Sequence, residues 1–187
     1  MDLLCINVQD VKELLLMLIP KNLNDIFHPI DDNGYDGEIV CKCGCKSFEI
    51  RYFGYFFEKN KLGIEEYNGK YGQAVKAICK DCQKEYLLYD FALNGYDGLI
   101  CEEGIVVPNE KLNKFTTETD NLFYIKMFLE YESEEQFSEE ILGDEYLQSK
   151  YNFTMADRAS IWSWLTIELR GVQSGIAYED FVNEELA

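Results

Sequence analysis

Hydrophobic positions along the chain change period several times, and each change predicts an element. Val8, Val11, Leu14, Leu15, Leu18 and Ile19 recur at helical spacing with Lys12 and Glu13 between them, and Pro20 closes the run, which predicts an N-terminal helix. Asp31-Asp32-Asn33-Gly34-Tyr35-Asp36-Gly37 is a cluster of turn formers. Aromatic and β-branched residues then dominate Phe48 to Phe57, Tyr71 to Ile78 and Glu85 to Ala92, which predicts at least three strands, with Asn60 to Gly72 as a distal connection. Leu122 to Tyr131 reads as one more strand. Ser133-Glu134-Glu135-Gln136 has the form of a capping box. A second helix start at Thr154 to Asp157 leads into a stripe of Arg158, Ile161, Trp162, Leu165 and Leu169 that ends at Gly171, and Glu179 to Leu186 suits a last short helix. On that helix Trp162 and Trp164 point to different faces. The sum is an α+β fold: an antiparallel sheet region with flanking N-terminal and C-terminal helices, forming one domain over residues 1–187.

Composition narrows the class. A chain of 187 residues supports one good core, and 47% hydrophobic residues exclude disorder despite the charge. The formal net charge of −18 is uneven, because residues 40–90 are near neutral at +2 while residues 116–187 carry −12. Such a surface repels DNA, RNA and acidic membranes and attracts a basic partner, although negative charge also serves solubility alone. Met1 to Gln9 contains no basic residue, and the apolar run Leu14 to Ile19 is far shorter than the roughly 20 residues a membrane span needs, so a cytoplasmic location is expected. Seven cysteines, an odd number grouped in CxC and CxxC pairs, fit a reducing compartment and a metal better than a disulfide framework.

The chemistry concentrates in Cys41-Lys42-Cys43-Gly44 and Cys79-Lys80-Asp81-Cys82. Two short turns that each offer two thiolates suit tetrahedral zinc, and four thiolates leave the metal no open position for a reaction. Cys41 and Cys43 are assigned with Cys79 and Cys82 because Gly44 follows Cys43 and lets backbone amides turn toward the sulfur. Cys45 is the reserve ligand. A redox pair and ordinary buried cysteines are the competing readings.

On these residues the chain resembles the zinc-ribbon group, in which two cysteine knuckles on neighbouring hairpins hold one zinc ion. The resemblance spans about residues 39–90 and implies an embedded zinc-ribbon module there. It departs from the usual form at the first knuckle, where one residue rather than two separates the cysteines. Asn94-Gly95-Tyr96-Asp97-Gly98 repeats Asn33 to Gly37 letter for letter, which reads as repeated turn chemistry, and with the following Leu-Ile-Cys it is similar to segments of small uncharacterised bacterial proteins.

Other constellations fail. The single histidine, His28, lies beside Pro29 in a turn-rich segment and suits a surface contact rather than catalysis. Glu134, Glu135, Glu139 and Glu140 read as a solvated helix face. The acidic turn at Asp31 lacks an oxygen ligand at Tyr35 and a glutamate at Lys42, so it is no calcium loop. The reading is therefore a non-enzymatic cytosolic protein with a zinc ribbon, whose acidic surface binds a basic protein of the kind an inhibitor or immunity protein would meet. The alternatives are a nucleic-acid-associated ribbon with a patch of Lys42, Lys46, Arg51, Lys76, Lys80 and Lys84, and an enzyme with a site in an unrecognised cleft.

Overall fold

Side chains alternate in and out along the strands of the described residues, and that period of two builds a sheet. A computed structural model describes residues 23, 25–30, 36–54, 58–59, 65–66, 73–94, 107, 109–131, 133–160 and 162–185. Its first strands are β1 (Phe27–Pro29), β2 (Asp36–Ile39) and β3 (Phe48–Phe53). A small hairpin of β4 (Glu58–Lys59) and β5 (Glu65–Glu66) stands apart as its own sheet. Next come β6 (Ala74–Cys79), β7 (Glu85–Asp90), β8 (Asn113–Phe115) and β9 (Phe123–Tyr131), and the chain closes with β10 (Trp162–Gly171) and β11 (Ala177–Glu185).

Nine of these strands form one antiparallel sheet, curled into a half-barrel. Along its path the order is β1-β2-β9-β3-β6-β7, while β10 joins β9, β11 joins β10, and β8 joins β3. β9 is the hub. Its Phe123 stands opposite Phe48 of β3, its Lys126 to Phe128 pair with Glu38 to Asp36 of β2, and its whole length pairs with β10. Phe123, Ile125, Met127 and Leu129 point inward from β9, where they meet Leu165, Ile167 and Leu169 of β10 and Val182 of β11 in the main core. Burying each such side chain contributes about 1.5–3 kcal/mol.

The expectation of an α+β fold, a ribbon-containing sheet region with flanking helices, is overturned by this mostly β half-barrel, most plainly at the C-terminal end. Trp162–Gly171 is a strand, not a helix, and Ala177–Glu185 is its antiparallel partner. Leu165-Thr166-Ile167-Glu168-Leu169-Arg170 alternates apolar and polar strictly, and the match of Ile161, Trp162, Leu165 and Leu169 to a helical stripe is a coincidence of spacing. The second segment misleads for a different reason. The β10–β11 register shifts between Ile167 and Leu169, with Asp180 at φ 55°, and this bulge lets Tyr178 and Phe181 both reach the ring of Phe115, at 5.7 and 4.8 Å. Apolar residues three apart therefore share one face of a strand. The helix expected to carry Trp162 and Trp164 is thus a strand, with a register shift against β9 between the two residues. The N-terminal helix expected over Val8 to Ile19 lies outside the described residues, as do most of the Asp31 turn and the Asn60 to Gly72 connection.

Helix among the described residues is confined mainly to the excursion between β9 and β10. Ser133 caps α1 (Glu134–Gln136) with a complete capping box, a π-turn follows over Phe137–Leu142, and Asp144 caps α2 (Glu145–Tyr151), which ends on left-handed Asn152. Phe137, Ile141 and Leu147 give this excursion a small core of its own. Glu134, Glu135, Glu139 and Glu140 are exposed around it. No helix of the described residues is long and apolar enough to cross a membrane.

The β10–β11 turn is held by a buried carboxylate. Asp120 accepts from the amides of Gln173 (2.7 Å) and Ser174 (3.2 Å) and from the Thr119 hydroxyl (3.0 Å). These donors hold its carboxyl below the usual aspartate range, led by Ser174 and opposed by burial. Gly171 leaves the room, since a Cβ there would stand 2.3 Å from the Asp120 Oδ2.

Candidate metal centre

Strand register brings the two cysteine turns together. Phe48 at the start of β3 pairs with Cys79 at the end of β6, so the turn entering β3 and the turn leaving β6 lie side by side. The Lys80 amide donates to the Ser47 carbonyl across them at 3.1 Å. Cys41, Cys43, Cys79 and Cys82 consequently place their four Sγ atoms within 4.8 Å of one another, although they come from segments some forty residues apart in the chain. The closest pairs cross between turns: Cys41 to Cys82 at 3.4 Å and Cys43 to Cys79 at 3.5 Å. Tetrahedral zinc with bonds of about 2.3 Å sets its sulfurs roughly 3.8 Å apart, so the cluster needs only small adjustments to close on an ion.

The two turns are built alike despite their different lengths. In the first, the Cys41 amide donates to the Cys45 carbonyl (2.8 Å) and the Gly44 amide to the Cys41 carbonyl (2.7 Å). In the second, the Cys79 amide donates to the Lys84 carbonyl (2.9 Å) and the Gln83 amide to the Cys79 carbonyl (3.0 Å). Each turn reverses through a left-handed residue directly after its second cysteine, Gly44 at φ 87° and Gln83 at φ 58°. Gln83 lacks glycine's freedom, and its side-chain amide compensates by donating to the carbonyls of Cys79 (3.2 Å) and Lys80 (2.9 Å). The one-residue spacing of the first pair thus shortens the turn without changing how it closes.

Backbone amides favour the thiolates: that of Cys43 lowers the Cys41 thiol, that of Cys45 the Cys43 thiol, and those of Asp81 and Cys82 the Cys79 thiol. Burial raises the Cys41 thiol, but the Cys43 amide, the Tyr86 hydroxyl and the neighbouring thiols outweigh it and bring its pKa down to about 6. Burial pushes the Cys79 thiol far up against the amides that favour its thiolate, and Cys41 and Cys43 push it further. Cys43 is favoured by the Cys45 amide yet ends above its ordinary value, because Cys41 and burial oppose it. One thiolate forms readily in this small volume and the next ones are resisted, a pattern that a dication relieves.

Cys41 and Cys79 are buried, at 3% and 0% exposure, and belong to the main core, whereas Cys43 and Cys82 face solvent. Cys45 stays outside the cluster, with its sulfur 3.4 Å from both the carbonyl and the hydroxyl of Ser47. Its carbonyl, not its thiol, serves the turn. Cys5 and Cys101 lie outside the described residues.

Sequence reasoning missed Tyr86. Its hydroxyl lies 3.1 Å from the Cys41 sulfur, the residue is buried, and the Lys84 ammonium stands 5.3 Å over its ring. Burial, followed by Cys41, pushes the phenol well above its usual pKa, so it remains a donor to the thiolate. The available signal was its position on the strand leaving the second turn. His28 sits exposed on β1 opposite Glu38. Of the six cations of the supposed basic patch, Lys42 pairs with Asp25, Lys46 with Glu38 (2.8 Å), Arg51 with Glu49 (3.0 Å) and Lys76 with Glu85 (3.9 Å).

Fold and site together define a mostly β protein whose curled antiparallel sheet carries four cysteines that could hold a metal ion such as zinc. No protein-family model, curated protein or solved structure matches the chain.

Proposed function

We propose that this chain is a zinc-stapled, non-enzymatic protein that works by binding, with an anionic surface that engages a basic protein such as a toxin or nuclease it restrains. The observation that carries the reading is the four-sulfur cluster, formed between two turns that close with the same pattern of backbone hydrogen bonds. A tetrahedral four-thiolate zinc ion has no vacant position for substrate, so its contribution is to stability. Two cysteine-bearing turns brought side by side are the feature on which the resemblance to the zinc-ribbon group rests. The charge of −12 over residues 116–187 supports the basic partner. A nucleic-acid surface is less well supported, because most of the candidate cations are engaged by acids.

Metal analysis of the purified chain tests the staple, with one zinc per chain expected and loss of the metal on Cys82→Ser. Affinity capture at low ionic strength followed by a salt titration tests the partner. A retained basic protein that elutes as salt rises is expected, and an association indifferent to salt refutes electrostatic capture.

A further inference from the structure

The outer face of β9 and β10 departs from a plain polar surface. Tyr124 and Phe128 are 44% and 41% exposed, and they flank Lys126 on the outward side of β9. Two grooves run beside them, of about 400 and 300 Å³, and both are bordered by Lys126 and Glu168. Register fixes the charges in this row, since Glu38 of β2 and Glu168 of β10 each stand opposite Lys126, and Asp36 stands opposite Phe128.

The cations of the row are already taken. Lys126 pairs with Asp36 and Lys46 with Glu38, each at 2.8 Å. The β11 bulge adds Glu179 to the larger groove and Asp180 to the smaller one. Among the described residues Glu168 and Glu179 have no basic partner, and Arg170 is the remaining cation along the grooves. The face therefore offers Glu168 between the two accessible aromatic rings, with Glu179 and Asp180 beyond it on β11, against one remaining cation, Arg170, which stands opposite Tyr124.

We propose that this face docks an extended segment of another protein that carries lysine or arginine at alternate positions. The proposal rests on the basic-partner reading and gives it a location. Tyr124 and Phe128 are four strand positions, about 13 Å, apart, and alternate side chains of an extended segment recur roughly every 7 Å. One basic side chain of the segment meets Glu168 while its neighbours lie against the two rings, whose faces attract cations. A nucleic acid or an acidic segment meets repulsion on the same surface.

The test uses the full, metal-loaded chain and a fluorescent peptide of alternating lysine and serine, with binding read by polarisation at low salt. Thermal unfolding and metal content verify that each variant is folded. Tyr124→Ser with Phe128→Ser leaves the charge unchanged and is expected to weaken binding about fivefold. Glu168→Gln with Glu179→Gln is expected to weaken it about fivefold to tenfold, whereas Glu134→Gln with Glu135→Gln, an equal change of charge on the excursion, shifts it less than about twofold. A matching glutamate–serine peptide is expected not to bind. If both groove variants bind like the unaltered chain, the groove is overturned. If only the excursion variant weakens, the groove is overturned while the basic-partner reading survives. If the lysine peptide binds nothing, both fall and the metal staple stands.

Discussion

Replacing Cys79 by serine tests the centre at its most buried ligand. Cys79 has 0% exposure, ends β6 opposite Phe48, and places its sulfur 3.5 Å from that of Cys43. Structural zinc sites bind with about 10–16 kcal/mol, so each of four thiolates carries about 3 kcal/mol, equivalent to a hundredfold or more in Kd. Serine keeps the size but offers a poor ligand, and it leaves a hydroxyl among apolar neighbours. Competition with a colour-forming chelator should show the affinity falling by at least that factor. At free zinc a thousandfold above the original Kd, where the bound ion contributes about 4 kcal/mol of stability, the variant should lose most of that increment in thermal unfolding. Cys45→Ser is the matched control, since its sulfur lies outside the four-sulfur cluster and its polar contacts are to Ser47, and its metal affinity should not change. Unchanged affinity in Cys79→Ser, or an equal loss in Cys45→Ser, refutes the four-sulfur assignment.

Three further outcomes are expected. Tyr86→Phe removes the hydroxyl 3.1 Å from the Cys41 sulfur, and chelator competition should show affinity lowered about tenfold with the sheet signal in circular dichroism unchanged. Because the folded carboxyl of Asp120 titrates below its unfolded value, its contribution is complete above about pH 4 and disappears as pH falls through the lower folded value. The melting-temperature gap between the unaltered chain and Asp120→Asn should therefore be open at neutral pH and close in acid, and a gap that widens in acid reverses the sign argued here. Ile167→Ala should cost about 2–5 kcal/mol in denaturant unfolding and Thr166→Ala within about 0.5 kcal/mol, since the strand turns Ile167 into the core and Thr166 outward.

The middle of the chain was legible because its signals are local. The strands at Phe48, Ala74, Glu85 and Phe123 announce themselves by β-branched and aromatic runs, and the capping box at Ser133 is a four-residue pattern that the structure reproduces in both hydrogen bonds. The preference for Cys41 and Cys43 over Cys45 came from Gly44, and the left-handed φ of that glycine is what turns the chain there. The helical reading of Trp162 to Gly171 failed because a sparse apolar set can satisfy two periods, and pairing with β9 decides between them. Ala177 to Glu185 was harder, since its bulge breaks the alternation that marks a strand, and a bulge is fixed by the partner strand. Tyr86 acts only through a contact 45 residues away in sequence, which no local pattern encodes.

The position of β9 has a consequence for how the cysteine cluster reports on the rest of the molecule. Cys41 lies two positions past Ile39, the end of β2, and among the described residues β2 pairs with β9 over three positions on one side and with the short β1 on the other. Damage to the C-terminal half that frees β9 would thus loosen the β2 side of the first cysteine turn, while its other side, entering β3, stays paired with β6. Slow release of bound metal then becomes a remote gauge of injury at residues that lie far along the chain from any thiol.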